Sequence, residues 1–444
     1  MKTRREWIRE RRRKKGKLMT VLIALGVAMG LAITAGVALL VIWRLNHRTS
    51  ERDGMMQDTA LVCEEESTEI RTEMSQEDQS QEEQDSESVT EEEPEPEGYS
   101  LERWKKEHTH VKGIYVTGPV AGSARMPGLI ELLDETELNA MVIDIKNDAG
   151  EITFKMPGDE DPAVLGNCVR SIGDMESLMT ELKNHEIYTI ARIVCFKDPL
   201  LAVARPELAL KETNGKPITD SNNLAWVNPC SEDVWNYLTD IAVYCADLGF
   251  DEIQFDYVRF PVGKGTENAD YGVEVTADNK HEYIQKFLQF AAERLHEKDV
   301  PVTADLFGTV IGNPVDVRRV GQDYAELAST VDALCPMIYP SHYGKGVFGL
   351  EVPDAKPYET IIGALGRSVE ELSSVDEKEC AVVRPWLQDF TATWVDGHIS
   401  YGIEEVRTQI QAVYDSGYDE WILWNAKNNY SITKQELPSA EEEP

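Results

Sequence analysis

The most informative stretch of this sequence is residues 249–261, which read GFDEIQFDYVRFP. Its nearly continuous apolar character is typical of a parallel strand that is covered on both faces. Side chains alternate across a strand, so Gln254 and Asp256 share one face, and Asp256 lies near the carboxyl end. A carboxylate there needs a positively charged partner. The candidates are Arg259 and Arg192, of which Arg192 belongs to the preceding predicted strand.

Seven similar runs lie between about residues 99 and 430, with helix-patterned segments in the gaps. The eight predicted strands are residues 111–117, 140–146, 188–196, 252–259, 301–307, 333–339, 381–388 and 421–425. Eight such units predict an α/β fold that consists of one (β/α)8 TIM barrel. Residues 197–228 and 340–357 are predicted to form enlarged loops after the third and sixth strands. A doubly wound open sheet is the competing architecture, but no GxGxxG or GxxxxGK[ST] motif follows any strand.

The chain before the barrel has three compositionally distinct segments. Residues 1–17 carry ten lysines and arginines, and residues 18–43 contain no charged residue. A membrane-spanning helix needs about 20 apolar residues, so 18–43 is predicted to span the lipid bilayer, although cleavage as a signal peptide stays open. The basic flank predicts a cytoplasmic amino terminus and an extracellular carboxyl-terminal domain in the cell membrane.

Residues 44–98 are rich in Glu, Gln, Ser and Asp, which predicts a disordered acidic linker between the membrane and the barrel. The barrel domain is assigned to 99–435 and an acidic tail to 436–444. The chain has 80 acidic and 44 basic residues, a net charge of −36, which argues against a nucleic-acid partner.

The sequence predicts neither a metal nor a cofactor. Its seven cysteines form no CxxC pair, and no HExxH or GxSxG motif occurs. His108-Thr109-His110 has the HxH pattern of barrel metallohydrolases, but it precedes the first strand. It is therefore expected on the amino-terminal face, away from the reactive end of a barrel, and is rejected as a ligand pair.

Two carboxylates are the predicted catalytic residues. Cleavage of an acetal needs one carboxylate on each side of the bond, and Asp256 and Asp305 end neighbouring predicted strands. Asp256 is predicted to act as a nucleophile or general base, and Asp305 is the best candidate for the second carboxylate, the acid. The alternatives are a structural Asp256–arginine pair and a helix-capping role for Asp305, with Asp144 and Asp389 as substitutes.

Other polar and aromatic residues at strand ends are predicted to bind a polysaccharide or oligosaccharide, since aromatic rings suit the apolar faces of sugars. These residues are Asp144, Lys146, Arg192, Gln254, Tyr257, Arg259, Tyr339, His342, Trp386, Asp389, Trp424 and Asn425. For Asp144 and Lys146, which face the same way, a buried ion pair with each other is the alternative.

The runs 111–117, 139–150, 249–261 and 336–343 together resemble the glycoside hydrolase domain of bacterial membrane-anchored envelope proteins. The resemblance spans about residues 112–430 and implies a TIM barrel related to retaining glycosidases, with Asp256 as the nucleophile. Chitinase-type barrels have DxxDxDxE on the fourth strand, whereas Val258 stands here at the position of the final Glu. Their substrate-assisted route is therefore disfavoured.

The resulting hypothesis is a membrane-anchored extracellular glycoside hydrolase that acts on an envelope or environmental polysaccharide through a retaining mechanism. A transferase using the same covalent intermediate would have the same sequence features. A catalytically inactive carbohydrate-binding barrel with an envelope-organising role is the alternative from another class, and a metalloenzyme has little support from eight histidines. The hypothesis requires Asp256 to reach solvent and a second carboxylate to lie within about 10 Å.

Overall fold

The computed structural model describes residues 98–156, 167–263 and 265–432. The predicted membrane span 18–43, the linker 44–98 except its last residue, and the tail 436–444 lie outside the described residues. Within the three described ranges, none of the helices has both the length and the apolar character needed to cross a bilayer.

The strands in chain order are β1 (Lys112–Val116), β2 (Ala140–Lys146), β3 (Ile152–Phe154), β4 (Cys168–Ile172), β5 (Tyr188–Val194), β6 (Lys211–Glu212), β7 (Glu252–Asp256), β8 (Ala269–Asp270), β9 (Val302–Phe307), β10 (Ala333–Met337), β11 (Val382–Val383), β12 (Trp386–Gln388) and β13 (Trp421–Trp424). The α-helices are α1 (Leu101–Glu107), α2 (Gly118–Ala121), α3 (Met126–Asp134), α4 (Met175–Asn184), α5 (Pro199–Ala204), α6 (Glu232–Asp247), α7 (Lys280–His296), α8 (Pro314–Val320), α9 (Tyr324–Ala328), α10 (Pro357–Leu372) and α11 (Ile403–Asp415).

Eight of these strands form a closed parallel barrel in the order β1-β2-β5-β7-β9-β10-β12-β13. Closure is direct, because β1 pairs in parallel with both β2 and β13; Ile114 lies opposite Met141 on one side and Leu423 on the other. The predicted (β/α)8 barrel is confirmed. Each predicted strand overlaps one barrel strand, and the seventh is divided between β11 and β12.

The loops at the carboxyl ends of the strands carry additional structure. A short antiparallel partner of β2, strand β3, pairs in turn with β4, and this insertion was not predicted. After β5, the predicted enlarged loop contains β6, which pairs with β8 from the segment that follows β7. The loops after neighbouring barrel strands are therefore joined above the barrel.

The amino-terminal end of the barrel is closed by a buried ion-pair network. Arg384 donates to Glu252 and to Glu420, at 2.7 Å in each case. His108 lies 2.6 Å from Glu420, the residue that precedes β13. The HxH motif thus lies at the amino-terminal end, as its position in the sequence predicts, and the carboxyl ends of the strands carry a separate polar cluster.

Candidate functional site

Three carboxylates surround the guanidinium group of Arg192 inside the barrel. Nε of Arg192 donates to Asp256 at 2.9 Å, and Nη2 donates to the same carboxylate. Nη1 donates to Asp144, while the nearest oxygen of Asp305 lies 3.9 Å from Nε. We call these four residues the carboxylate centre; they come from β2, β5, β7 and β9.

Strand register brings the carboxylate centre together. Arg192 lies level with Asp144 on β2 and with Gln254 on β7. Asp256 is therefore two residues closer to the carboxyl end, and the long arginine side chain reaches it along the barrel axis. Since parallel neighbours end at the same rim, the cluster lies where (β/α)8 barrels place reactive groups.

An aromatic wall encloses the carboxylate centre and supplies hydrogen-bond donors to it. Nε1 of Trp386 donates to Asp305 at 2.6 Å, and the hydroxyl of Tyr115 donates to Asp144. Tyr115 stacks on Trp424 with 4.1 Å between ring centroids, and Trp424 meets Trp386 edge-on at 5.5 Å. Tyr115 was not predicted as a site residue; its place near the end of the first strand was the available signal.

The carboxylate centre is recessed. The side chains of Asp144 and Asp256 are each 6 % exposed, and that of Asp305 is 1 % exposed. Burial, reinforced by the charge of Asp256, raises the pKa of Asp305 well above its usual range. Burial also raises the pKa of Asp144, although the nearby Arg192 opposes this. Burial therefore favours the protonated form of Asp305.

The spacing of Asp256 and Asp305 is bounded by their shared neighbour. One oxygen of each carboxylate lies near the same Arg192 Nε atom, at 2.9 and 3.9 Å. These two oxygens are consequently at most about 7 Å apart, which admits the spacing of about 5 to 5.5 Å typical of retaining glycosidases. Asp305 therefore lies within the separation of about 10 Å from Asp256 that the two-carboxylate hypothesis requires.

Tyr257 orients Asp256 through its backbone. Its φ is +51°, a left-handed conformation that is uncommon for a residue with a side chain. In this conformation its N–H donates to the Asp256 carboxylate at 2.5 Å. Strained backbone of this kind is concentrated at functional sites, where it fixes the direction of a reactive group.

Lys146 and Gln254 each contact another barrel strand or the segment that follows it. Nζ of Lys146 donates to the Val194 carbonyl at 2.7 Å and lies 2.9 Å from Asp198, so it is not paired with Asp144. A register shift between Asp144 and Lys146 separates their partners. The amide of Gln254 donates to the sulfur of Cys335 at 3.2 Å.

Arg259 is not the partner of Asp256. Its guanidinium group packs over the rings of Trp226 and Phe307, at 4.8 and 4.7 Å from their centroids, and donates to the Phe260 carbonyl. Of the two arginines predicted as partners of Asp256, Arg192 is the one that binds its carboxylate in the structure.

Tyr339 and His342 follow β10 and are buried against each other. Burial and the charges of Asp305 and Asp256 raise the pKa of Tyr339. His342 meets the Tyr339 ring edge-on at 5.2 Å, and its Nδ1 lies 2.9 Å from the Ser341 hydroxyl. Burial lowers the pKa of His342 to about 4, so it is neutral at physiological pH.

Asp389 and Asn425 hold the last described segment of the chain in place. Asp389 accepts from the backbone and the hydroxyl of Ser431, at 2.8 and 2.6 Å. Asn425 donates to the carbonyl groups of Asp389 and Asn429. Both residues therefore support the rim, outside the direct contacts of Arg192.

Two groups of three potential metal ligands occur within the described ranges, and neither includes a residue of the carboxylate centre. They are His110, Asp419 and Glu420, and His281, Asp323 and Glu326. Within the carboxylate centre itself, the space between the acids is filled by the Arg192 cation, which supplies the positive charge there.

Residues 113–430 match the family model described as "Putative glycosyl hydrolase domain". No curated protein sequence matches.

Among solved structures, the glycoside hydrolase domain of PgaB (BpsB) from Bordetella bronchiseptica is 13% identical, with a TM-score of 0.53, covering 71% of this chain and 94% of that domain. A hypothetical protein from Ruminiclostridium thermocellum is 37% identical over 43% of this chain and 96% of its own, with a TM-score of 0.38. The PgaB domain shares the fold.

Proposed function

The chain belongs to the glycosyl hydrolase domain family whose model it matches, and on that premise we propose that it hydrolyses a polysaccharide through Asp256 and Asp305. The observation that carries this proposal is that two neighbouring carboxyl groups have different electrostatic environments. Asp256 accepts two hydrogen bonds from a cation, whereas the pKa of Asp305 is raised well above its usual range. Such a pair supplies one nucleophile and one acid.

The proposed reaction proceeds in two steps. An oxygen of Asp256 bonds to the anomeric carbon while the glycosidic bond breaks, and Asp305 gives its proton to the departing sugar oxygen. Asp305, now a carboxylate, then takes a proton from water as that water attacks the anomeric carbon and releases Asp256. Arg192 stays charged throughout and holds the nucleophile in position.

A screen for new reducing ends tests this proposal. The purified full-length chain in detergent is incubated with soluble and insoluble polysaccharides, including peptidoglycan strands, chitin derivatives and xylans. Release of reducing ends from at least one substrate, abolished by substitutions at the carboxylate centre, is the expected result. Release that is indifferent to those substitutions would indicate a contaminating enzyme and contradict the proposal.

The Asp305→Asn variant tests the role of Asp305 as the acid independently of the role of Asp256 as the nucleophile. The amide cannot protonate a leaving group, so cleavage of unactivated glycans is expected to fall by about 10² to 10⁴-fold. Glycosides with a good aryl leaving group need little protonation. With these substrates we expect the variant still to form the covalent bond between Asp256 and the sugar, which is observed as a burst of released phenol. Equal losses on both substrate types would contradict the assignment of Asp305 as the acid.

The same variant is expected to be more stable than wild type at neutral pH. Asp305 holds its proton in the folded state but ionises in the unfolded chain at a pKa of about 3.9, so ionisation favours unfolding as the pH rises. Asparagine removes this contribution, and the gain should disappear as the pH falls below about 4. Denaturant unfolding at pH 7 and at pH 3.5 provides the measurement.

A catalytically inactive carbohydrate-binding barrel is the second candidate, and the 1 % exposure of the Asp305 side chain favours it. In a barrel of this kind, the buried Asp305 would hold the barrel mouth together by accepting the hydrogen bond from Trp386. Glycan binding without any release of reducing ends, with binding unchanged in Asp305→Asn, would select this candidate.

We further propose that residues 18–43 anchor the protein in the cell membrane, with residues 1–17 in the cytoplasm and the barrel domain outside. The support is the charge-free stretch with its basic flank, followed by the acidic linker 44–98. In this arrangement the acidic linker gives the barrel reach toward envelope polysaccharide.

Cell fractionation is expected to recover the chain with membranes, and protease added to intact protoplasts should release a barrel-sized fragment by cutting the linker 44–98. Deletion of residues 18–43 should transfer the protein to the soluble fraction. Protection of the whole chain from external protease would contradict the proposed orientation.

A further inference from the structure

The loop that follows β12 presents a large aromatic side chain to solvent. Trp394 is 47 % exposed, although tryptophan is normally well covered. It is stacked on Phe390, with 6.0 Å between the ring centroids and 22° between the planes. The two rings therefore present aromatic surface at the carboxyl-terminal side of the barrel, where β12 also supplies Trp386 to the carboxylate centre.

The aromatic contact continues inward from Phe390. Its ring meets Tyr339 edge-on at a centroid distance of 5.9 Å. Tyr339 in turn is close enough to Asp305 and Asp256 for their charges to affect its pKa. Three rings thus run from solvent at Trp394 to Tyr339, and they begin in the loop directly after β12, whose Trp386 donates to Asp305.

Hydrogen bonds between two loops hold this aromatic surface in place. The amide nitrogen of Gln388 donates to the carbonyl of Phe390 at 3.1 Å and to Asp354 at 2.9 Å, while its amide oxygen accepts from the backbone of Ser341 at 3.0 Å. Asp354 and Ser341 belong to the loop after β10. The Phe390 end of the surface is therefore braced before any ligand arrives.

We propose that Trp394 and Phe390 form a glycan-binding platform for sugars of the substrate that lie outside the carboxylate centre. Aromatic faces bury the apolar faces of pyranose rings, and the exposed ring of Trp394, stacked on the half-buried Phe390, offers such a face. The continuity with Tyr339 favours a glycan over a protein partner as the occupant. This inference rests on the proposed function and adds where the outer sugars of the polysaccharide bind.

Trp394→Ala in the full-length chain tests the platform. We expect kcat/KM for a long oligosaccharide to fall about tenfold, the scale of one aromatic contact, while an aryl monosaccharide glycoside is cleaved as by wild type. Trp394→Phe should restore most of the loss. Val369→Ala, which alters a similarly exposed apolar residue (51 %) on α10, is the matched control and should change neither rate.

Affinity electrophoresis in gels containing carboxymethyl chitin, xylan, hyaluronan or solubilised peptidoglycan strands measures binding separately. Retardation of wild type that Trp394→Ala abolishes supports the platform, even where no cleavage occurs and the hydrolase proposal fails. Cleavage of long substrates unaffected by Trp394→Ala overturns the platform and leaves the hydrolase proposal standing. Absence of both binding and cleavage, or self-association of wild type that Trp394→Ala removes, also overturns the platform.

Discussion

Asp256→Asn is expected to lower kcat/KM for glycan cleavage by about 10³-fold or more, the scale seen when a catalytic nucleophile is removed. The amide oxygen can still accept hydrogen bonds from Arg192, but it cannot form the glycosyl ester. Folding should be retained, because Asn has nearly the same volume. Reducing-end release by purified wild type and variant, on whichever glycan the screen identifies, is the measurement.

The matched control for this substitution is Asp251→Asn, on the residue immediately before β7 at the opposite end of the same strand. Asp251 accepts hydrogen bonds from Thr189 and has no contact with Arg192. We expect its variant to retain activity within about twofold. A fluorinated sugar that traps the covalent intermediate should label the peptide containing Asp256, and labelling of another carboxylate would refute the assignment.

The sequence was sufficient to predict the barrel because its strands are buried on both faces. Runs such as Ala140–Lys146 are apolar almost throughout, and all seven residues of that strand are buried. Their number and spacing predicted a closed parallel sheet. The β3–β4 insertion escaped prediction because short strands at a loop edge carry little periodic signal.

The candidate site was predictable to the extent that strand ends determine it. Asp256, Asp305, Arg192 and Trp386 were predicted and lie together in the structure. The partner of Lys146 was not predictable, because a register shift on β2 changes which neighbour it faces. Trp394 was not predicted either, since its stacking depends on the conformation of an irregular loop.

Charge balance explains how three carboxyl groups can be buried together inside the barrel. Three acids and one arginine would carry a net charge of −2 if every group were ionised, and buried charge of that size is costly. The raised pKa of Asp305 favours its protonated form, and in that form Asp305 adds no negative charge to the centre. The same proton is the one that the proposed mechanism delivers, so the stability of the centre and its acid chemistry have a common origin.

Arg192→Met is expected to lower the free energy of unfolding by about 3 to 5 kcal/mol, because it leaves buried carboxylates without their cation. Methionine fills a similar apolar volume, so the loss reports mainly on charge. Arg294→Met is the matched control: Arg294 pairs with Asp240 at 2.7 Å on the surface, and its removal should cost only about 0 to 1 kcal/mol. Urea unfolding of both variants and of wild type at pH 7 gives the comparison.

The pH dependence of the Arg192→Met loss identifies its cause. Burial raises the pKa of Asp144 and Arg192 opposes this rise, so removal of the cation raises that pKa further and the folded variant binds more protons than the unfolded chain. Its stability relative to wild type should therefore recover as the pH falls from 7 toward about 4, where the carboxyl groups of the unfolded chain also become protonated. A loss that is constant across this range would indicate a packing defect, and a loss that grows toward acid would contradict the proposed electrostatic role of Arg192.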